Sequence, residues 1–252
     1  MTQRDPSHPY WTHGFASGMQ AMTAEDAHGF LAQLQDIEAT QDALHDDGWT
    51  TRDYRPWDHP DHPLADWAMS IVMHPGVRAV ASSILGPELL VRNADVFVKN
   101  PKTRRGIGWH QDTAEQGSET DGMMTMWLGL TASTVENGCL KFIPGSHIGE
   151  IPHGPKDKFT LTLNQQALAH LDVENAAFNV MTPGQCSAHH IRMVHASDAN
   201  RTRERRVGFV IRWMTPEVSA AVCESGTAYV AQGSRTGPGI QAKPHFPMTW
   251  TG

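Results

Sequence analysis

The sequence predicts a mainly β protein, a sandwich or barrel, with helices flanking it on the N-terminal side. The first observation is a change of pattern near Leu90. Before it, apolar residues recur at helical spacing, and after it, short apolar runs alternate with glycine, proline and asparagine. The second is the length of 252 residues, which fits one large β domain with a substantial core. Because the helices precede the strands, we expect them to pack on the outside of the sheet.

Three segments before the strands have helical periodicity. Residues 23–46 form the first, with Thr23 as its cap and Asp26 three residues further on. A second helix begins near residue 64 and ends near 74, where a proline follows. The third begins at that proline and ends at the Gly-Pro pair 86–87, a strong stop signal.

The remainder of the chain predicts short strands. The runs that indicate them are LLVRNADVFVKN, MTMWLGLTAS, GCLKFIPGS, FTLTLN, PGQCSAHHIRMVH and RRVGFVIRWM. In the first run, alternation places one set of side chains on a mixed polar face, namely Asn93, Asp95, Phe97 and Lys99. The opposite, more apolar face carries Arg92, Ala94, Val96 and Val98. The polar face suits the interior of a ligand-holding barrel, and a solvent-facing side is the alternative that periodicity leaves open.

Composition limits the partners and the compartment. The 20 basic and 27 acidic residues give a formal charge of −7 and include no long basic run, which argues against nucleic acid and anionic membranes. The three scattered cysteines, Cys139, Cys186 and Cys223, favour a reducing compartment. With no signal peptide and no membrane-length apolar stretch, we expect a cytoplasmic monomer or homodimer that acts on a small molecule.

The most informative motif is His110-Gln111-Asp112, followed far downstream by His195. In an extended strand, His110 and Asp112 lie on one face and Gln111 lies on the other. Two imidazoles and a carboxylate are the ligands of non-haem iron(II) centres that keep positions open for substrate and dioxygen. By itself the His-x-Asp pattern is common, so the flanking sequence has to decide its meaning.

Three flanking segments, GWHQD, ENGCLKFIPGSH and HASDANRTRERR, occur in an order that resembles the phytanoyl-CoA dioxygenase family of iron(II)/2-oxoglutarate oxygenases. The similarity extends from about residue 23 to 216. It implies a double-stranded β-helix, the jelly-roll or cupin-like barrel, with iron in one mouth. We therefore expect one dioxygenase domain over 1–252, with a mainly helical flank at 1–89, a jelly-roll core at 90–216 and a C-terminal extension at 217–252.

The resemblance also implies which residues hold the cofactors. The implied iron ligands are His110, Asp112 and His195. The implied 2-oxoglutarate contacts are Arg206, Ser197, Thr125, Asn93 and Lys99. A guanidinium fork matches a carboxylate bidentately, and hydroxyl groups can donate to its remaining lone pairs. We interpret the neighbouring arginines as a solvated basic face, namely Arg201, Arg203, Arg205 and Arg212.

Substrate contacts are predicted less directly. Trp127 shares strand parity with Thr125 and faces either the pocket or the core, and Gln111 and Arg105 are further candidates. Arg105 lies before the metal motif, where it either attracts an anionic substrate or belongs to a solvated loop. His189 shares parity with His195, which leaves it either beside the site or packed in the core.

The resemblance implies a dioxygenase that uses iron(II), 2-oxoglutarate and dioxygen to hydroxylate an unactivated C–H bond of a small metabolite, releasing succinate and carbon dioxide. Asp112 argues against halogenation, since related halogenases have a small residue in place of the carboxylate. Two alternatives stay open. One is a metal-binding jelly-roll protein without oxygenase activity, a sensor or degenerate enzyme. The other is a different cupin-like enzyme, such as an isomerase.

Overall fold

The structure is a computed structural model that describes residues 5–40, 63–102, 106–113, 121–156, 161–218 and 229–232. Its helices are α1 (Pro9–His13), α2 (Ala24–Thr40), α3 (Pro63–Val72), α4 (Pro75–Leu85) and α5 (Gln165–Leu168), with a short 3-10 helix at Ser146–Ile148. Its strands are β1 (Phe15–Gln20), β2 (Leu89–Lys99), β3 (Ile107–His110), β4 (Met123–Gly129), β5 (Leu140–Phe142), β6 (His153–Lys156), β7 (Leu161–Leu163), β8 (Ala177–Phe178), β9 (Gln185–His190), β10 (His195–Ser197), β11 (Arg206–Met214) and β12 (Tyr229–Gln232).

The predicted helix starts are confirmed. The Asp26 amide donates to Thr23 Oγ1 over 3.0 Å, and the Thr23 amide donates back to Asp26 Oδ2 over 3.2 Å, so the pair forms a reciprocal cap on α2. The His74 ring caps α4 by accepting from the Gly76 amide at 3.2 Å. The predicted continuation of the first helix to residue 46 lies outside the described residues.

Two antiparallel sheets form the framework. The larger has the strand order β1-β9-β4-β11-β2-β12, and the smaller has the order β3-β10-β5-β8. Strands β6 and β7 form a separate hairpin. The fold class is the predicted one, mainly β with N-terminal helices and a jelly-roll arrangement. Strand β12 belongs to the predicted C-terminal extension, yet it pairs with β2 and continues the larger sheet.

The larger sheet has two different faces, as strand alternation predicts. On β2, Ala94, Val96 and Val98 join the core that the sheet shares with α2, α3 and α4. Phe97 points the other way and packs into a cluster that includes Trp127 of β4, Leu140 and Phe142 of β5. The helices therefore cover the outer face, and the inner face, with its polar side chains, is directed towards the smaller sheet.

The N-terminal segment contains structure that the sequence patterns did not predict. Helix α1 is capped by the His8 ring and ends at Gly14, which has a left-handed φ of 87°. Strand β1 then pairs with β9 through a bulge between Ala16 and Met19. Its sequence, FASGMQ, has no clean alternation, because the bulge breaks the period of two.

Among the described residues, no single helix is long and apolar enough to cross a membrane. Helices α3 and α4 taken together have the length and composition of a broken membrane span, and the two helices are bent by 56° relative to each other.

Candidate metal and co-substrate site

Neighbouring strands of the smaller sheet bring the metal-binding candidates together. His110 ends β3, and His195 begins β10 directly opposite it in the antiparallel register. Asp112 follows β3 by two residues, so its carboxylate reaches the same point. Asp112 Oδ1 lies 3.9 Å from each imidazole Nε2, and one ligand atom from each of the three buried residues lies within 4.8 Å of the others.

Hydrogen bonds leave the two imidazoles ready to bind a metal. His110 Nδ1 lies 2.9 Å from the Gly108 carbonyl oxygen, and His195 Nδ1 lies 2.9 Å from the Met193 carbonyl oxygen. A carbonyl oxygen only accepts, so each ring donates its Nδ1–H and keeps the Nε2 lone pair. Both Nε2 atoms point towards Asp112, which is the arrangement that a shared metal ion requires.

Protonation states agree with the geometry. Burial, with the adjacent His110, holds the pKa of His195 well below its usual range, so this ring is neutral at physiological pH. Burial opposes ionisation of Asp112, but contact with His189 and the charge of Arg212 hold its pKa well below the usual range. Neutral imidazoles and an ionised carboxylate are the forms that bind divalent cations, and this donor set fits iron(II).

The second oxygen of Asp112 faces away from the two imidazoles. Thr125 Oγ1 donates a hydrogen bond to Asp112 Oδ2 over 2.6 Å. His189 Nε2 lies 3.5 Å from the same oxygen, and among the described residues neither ring nitrogen of His189 has a hydrogen-bond partner. His189 thus lies beside the metal triad, which is one of the two alternatives that the sequence left open.

One pocket is lined both by the triad and by the buried arginine predicted to bind 2-oxoglutarate. Its polar lining consists of His110, Asp112, Thr125, His189, His195, Ser197, Arg206 and Arg212. Its remaining lining is largely apolar and aromatic, including Phe97, Ile107, Trp127, Leu140 and Val210. A cavity that combines apolar walls with convergent polar groups is typical of a small-molecule site.

Arg206 forms the end of the pocket opposite the triad. Its side chain is only 1% exposed, one of its amino groups donates to the Gly138 carbonyl oxygen, and its guanidinium lies 5.1 Å from the Trp127 ring. Among the described residues, Nε of Arg206 has no hydrogen-bond partner. Burial lowers the pKa of Arg206 to about 10, so it remains a cation at neutral pH. A buried cation with spare donors is a suitable anchor for a carboxylate.

Lys99 lies behind this anchor rather than on the pocket wall. Its amino group donates to Ser197 Oγ over 2.7 Å, and the same nitrogen lies 3.1 Å from the Gly138 carbonyl oxygen and next to the Asp198 carbonyl oxygen. Since Ser197 accepts from Lys99, its own hydroxyl hydrogen is available to a ligand in the pocket. Burial and the nearby Arg206 lower the pKa of Lys99 to about 6.

Three other residues that the sequence predicted as co-substrate or substrate contacts are not found on the pocket wall among the described residues. Asn93 is buried on β2 but does not line the pocket. Arg105 lies outside the described residues. The Gln111 side chain is fully buried away from the pocket, where it donates to the Gly149 and Arg192 carbonyls and accepts from the Ile151 amide. Gln111 thus ties β3 to the segments around it.

The interpretation of four arginines as a solvated face holds for Arg201 and Arg203, which are exposed, and is wrong for the other two. Arg205 forms a two-point ion pair with Glu38 of α2, at 2.7 and 2.8 Å. Arg212 is buried, lines the pocket and donates to Asp95 Oδ2 over 2.6 Å. Parity was the available signal, because Arg212 follows Arg206 by an even number of residues on one strand and so shares its face.

The triad is a group of three residues that could hold a metal ion, and it lies inside a double-stranded β-helix. The model of the phytanoyl-CoA dioxygenase (PhyH) family matches residues 10–208. The chain belongs to this family, which depends on iron(II) and 2-oxoglutarate and uses dioxygen as co-substrate. The resemblance that the sequence motifs indicated is confirmed. The protein is accordingly a non-haem iron- and 2-oxoglutarate-dependent oxygenase.

Individual relatives are distant. A probable alpha-ketoglutarate-dependent hypophosphite dioxygenase of Stutzerimonas stutzeri is 23% identical over 78% of this chain and 73% of its own. The solved apo structure of the non-heme monooxygenase ThoJ is 28% identical, with a TM-score of 0.75 over 94% of this chain and 87% of its own. SnoN, a non-heme alpha ketoglutarate dependent epimerase from nogalamycin biosynthesis, shares the fold at 22% identity and a TM-score of 0.65, over 94% of this chain and 87% of its own.

Proposed function

We propose that this oxygenase hydroxylates an unactivated C–H bond of a small-molecule metabolite, consuming 2-oxoglutarate and releasing succinate and carbon dioxide. The observation that carries the proposal is one pocket with a metal triad, His110, Asp112 and His195, at one end and the buried cation Arg206 at the other. The separated ends suit a co-substrate with a keto acid at one end and a carboxylate at the other.

In this proposal Arg206 and Ser197 bind the distal carboxylate. The guanidinium is held by the Gly138 carbonyl and by the Trp127 ring, so its position is set before the ligand arrives. Ser197 adds a hydroxyl donor, directed by Lys99. Preorganised donors lose little side-chain entropy on binding, which favours affinity for the dicarboxylate.

His110, Asp112 and His195 would hold the iron, which supplies activation of dioxygen and removal of a hydrogen atom from the substrate. The protein's own contribution is to orient the reactants and to exclude water. The apolar wall of Phe97, Leu140 and Val210 serves that second purpose. No side chain is required as a nucleophile, and the carboxylate of Asp112 occupies the ligand position that a halide would need.

The test is anaerobic addition of iron(II) and 2-oxoglutarate to the metal-free protein. A visible charge-transfer band is expected with the wild type. Arg206→Ala should weaken it, and Arg203→Ala should not, since Arg203 is exposed. A screen of small metabolites, followed by product mass, then identifies a hydroxylated product. Absence of the band at saturating ligand would favour a metal-binding protein without oxygenase activity, and a product of unchanged mass would contradict hydroxylation.

A further inference from the structure

We propose that Thr125 and His189 are positioning residues for the metal ligand Asp112. Thr125 holds the outer oxygen of Asp112 by a hydrogen bond and His189 lies beside that oxygen, so that the inner oxygen alone is directed at the metal. Oδ2 accepts from Thr125 Oγ1 at 2.6 Å and lies 3.5 Å from His189 Nε2. Oδ1 lies 3.9 Å from the Nε2 atoms of both His110 and His195. The two oxygens of one carboxylate therefore have different neighbours.

The larger sheet supplies this support as a row of cross-strand partners. Thr125 on β4 lies directly opposite His189 on β9, and it lies opposite Arg212 on β11 on its other side. Asp112 comes from the smaller sheet and meets the row from across the pocket. Arg212 is itself held by Asp95 at 2.6 Å, which fixes the row on the Arg212 side of Thr125. The ligand thus follows a strand of the smaller sheet, whereas its support belongs to the larger sheet.

The physical reason for such support is that a free carboxylate can bind a metal through one oxygen or two. A short hydrogen bond to the charged Oδ2 stabilises the one-oxygen mode and fixes the rotation of the carboxylate. Burial strengthens the effect, because Thr125 and His189 are both almost fully shielded from water. One-oxygen binding leaves more of the metal's coordination positions to the co-substrate and dioxygen.

This inference changes the role that the family resemblance implies for Thr125. A threonine hydroxyl has a single hydrogen to donate, and here Asp112 accepts it. Thr125 therefore acts on the metal end of the pocket, whereas Ser197 and Arg206 remain for the distal carboxylate. The two roles make opposite predictions about metal affinity and 2-oxoglutarate affinity, which separates them experimentally.

The inference rests on the proposed function only in requiring that the triad binds a metal. The experiment therefore measures binding of Co(II) to the metal-free protein without 2-oxoglutarate, by calorimetry and by the visible spectrum. Thr125→Val should raise the metal dissociation constant by about 10- to 100-fold and change the Co(II) bands, as loss of a ligand's hydrogen-bond partner does. Thr125→Ser keeps the hydroxyl and should restore both. Thr182→Val, the same exchange at an exposed site, should alter neither.

A second substitution protects the test against simple misfolding. His189→Phe retains a buried ring but removes the nitrogen beside Oδ2, and it should also raise the metal dissociation constant.

Unchanged metal affinity in both Thr125→Val and His189→Phe, with circular dichroism like the wild type, would overturn the inference. So would normal metal affinity in Thr125→Val combined with a 2-oxoglutarate defect like that of Ser197→Ala. Failure of the wild type to bind Co(II) would overturn both this inference and the proposed function, whereas normal Co(II) binding without a 2-oxoglutarate band affects the proposed function alone.

Discussion

Binding of 2-oxoglutarate is expected to take up a proton at Lys99. In the ligand-free protein, burial and the charge of Arg206 lower the pKa of Lys99 to about 6, from an ordinary value of 10.5, although Asp198 opposes the shift. At pH 7.5 such an amine is only about 3% protonated. Lys99 Nζ is 2.7 Å from Ser197 Oγ, which lines the pocket, so a bound carboxylate becomes a nearby counter-charge.

The number of protons taken up depends on how far the charge of the ligand raises the pKa of Lys99. A carboxylate a few ångströms away raises the pKa of a buried amine by about one to three units. A rise of about two units gives uptake of roughly 0.7 proton per 2-oxoglutarate at pH 7.5. The sign is definite: the complex binds more protons than the free protein. Affinity is therefore flat below about pH 6 and falls by at most about tenfold per pH unit above it, until the pKa of the complex is passed.

The assay is calorimetric titration of 2-oxoglutarate in two buffers of different ionisation enthalpy, with a redox-inert metal in the triad. The difference in apparent enthalpy gives the number of protons taken up. Lys99→Met should remove the uptake and flatten the pH dependence. Lys102→Met is the control, because Lys102 is exposed and is not among the charges that shift the pKa of Lys99. Proton uptake that persists in Lys99→Met, or that is absent from the wild type, would contradict the assignment of the proton to Lys99.

Three further substitutions test contacts around the site. Gln111→Leu removes the side-chain partner of three part-buried backbone groups and should lower the unfolding free energy by about 3 kcal/mol in urea titrations, while an unchanged midpoint would contradict its tying role. Gly208→Ala would place a Cβ 2.1 Å from the Trp127 ring and should weaken 2-oxoglutarate binding about tenfold, since overpacking costs about 1–3 kcal/mol; equal affinity would show that the ring can yield. Arg205→Gln leaves Glu38 buried without its cation and should cost about 2 kcal/mol in thermal unfolding, and a stability equal to the wild type would mean that the ion pair contributes nothing net.

Alternation along the strands was enough to predict much of the framework. On β2 the sequence assigned Phe97 and Lys99 to one face and Val96 and Val98 to the other, and the structure agrees. Alternation also predicted that Gln111 points away from the face that carries His110 and Asp112, and the buried Gln111 side chain does so. These predictions succeed because a strand's side-chain period is a local property of the backbone. The triad needed more, since only the family motifs connected His195 to the distant His-x-Asp pair.

What the sequence could not supply depends on partners remote in the chain. Arg212 looked like part of a basic run, and its burial makes sense only beside Asp95, 117 positions away. The hydroxyl of Thr125 is directed by Asp112, which follows a strand of the other sheet. Gln111 has backbone partners in two loops, and no spacing rule predicts which carbonyl a buried amide will meet. Register and loop placement, rather than residue type, decide all three.

Strand β1 is the outer neighbour of β9, and the tyrosine hydroxyl of Tyr10 just before it donates to the Met123 carbonyl at 3.0 Å. A deletion that removed the first 20 residues would leave the backbone donors and acceptors of β9 open along one side. An open strand of this kind pairs with other chains. The expected result is self-association along the strand that carries His189, rather than a smaller monomer. The solubility of the oxygenase sheet thus depends on an N-terminal strand that takes no part in its chemistry.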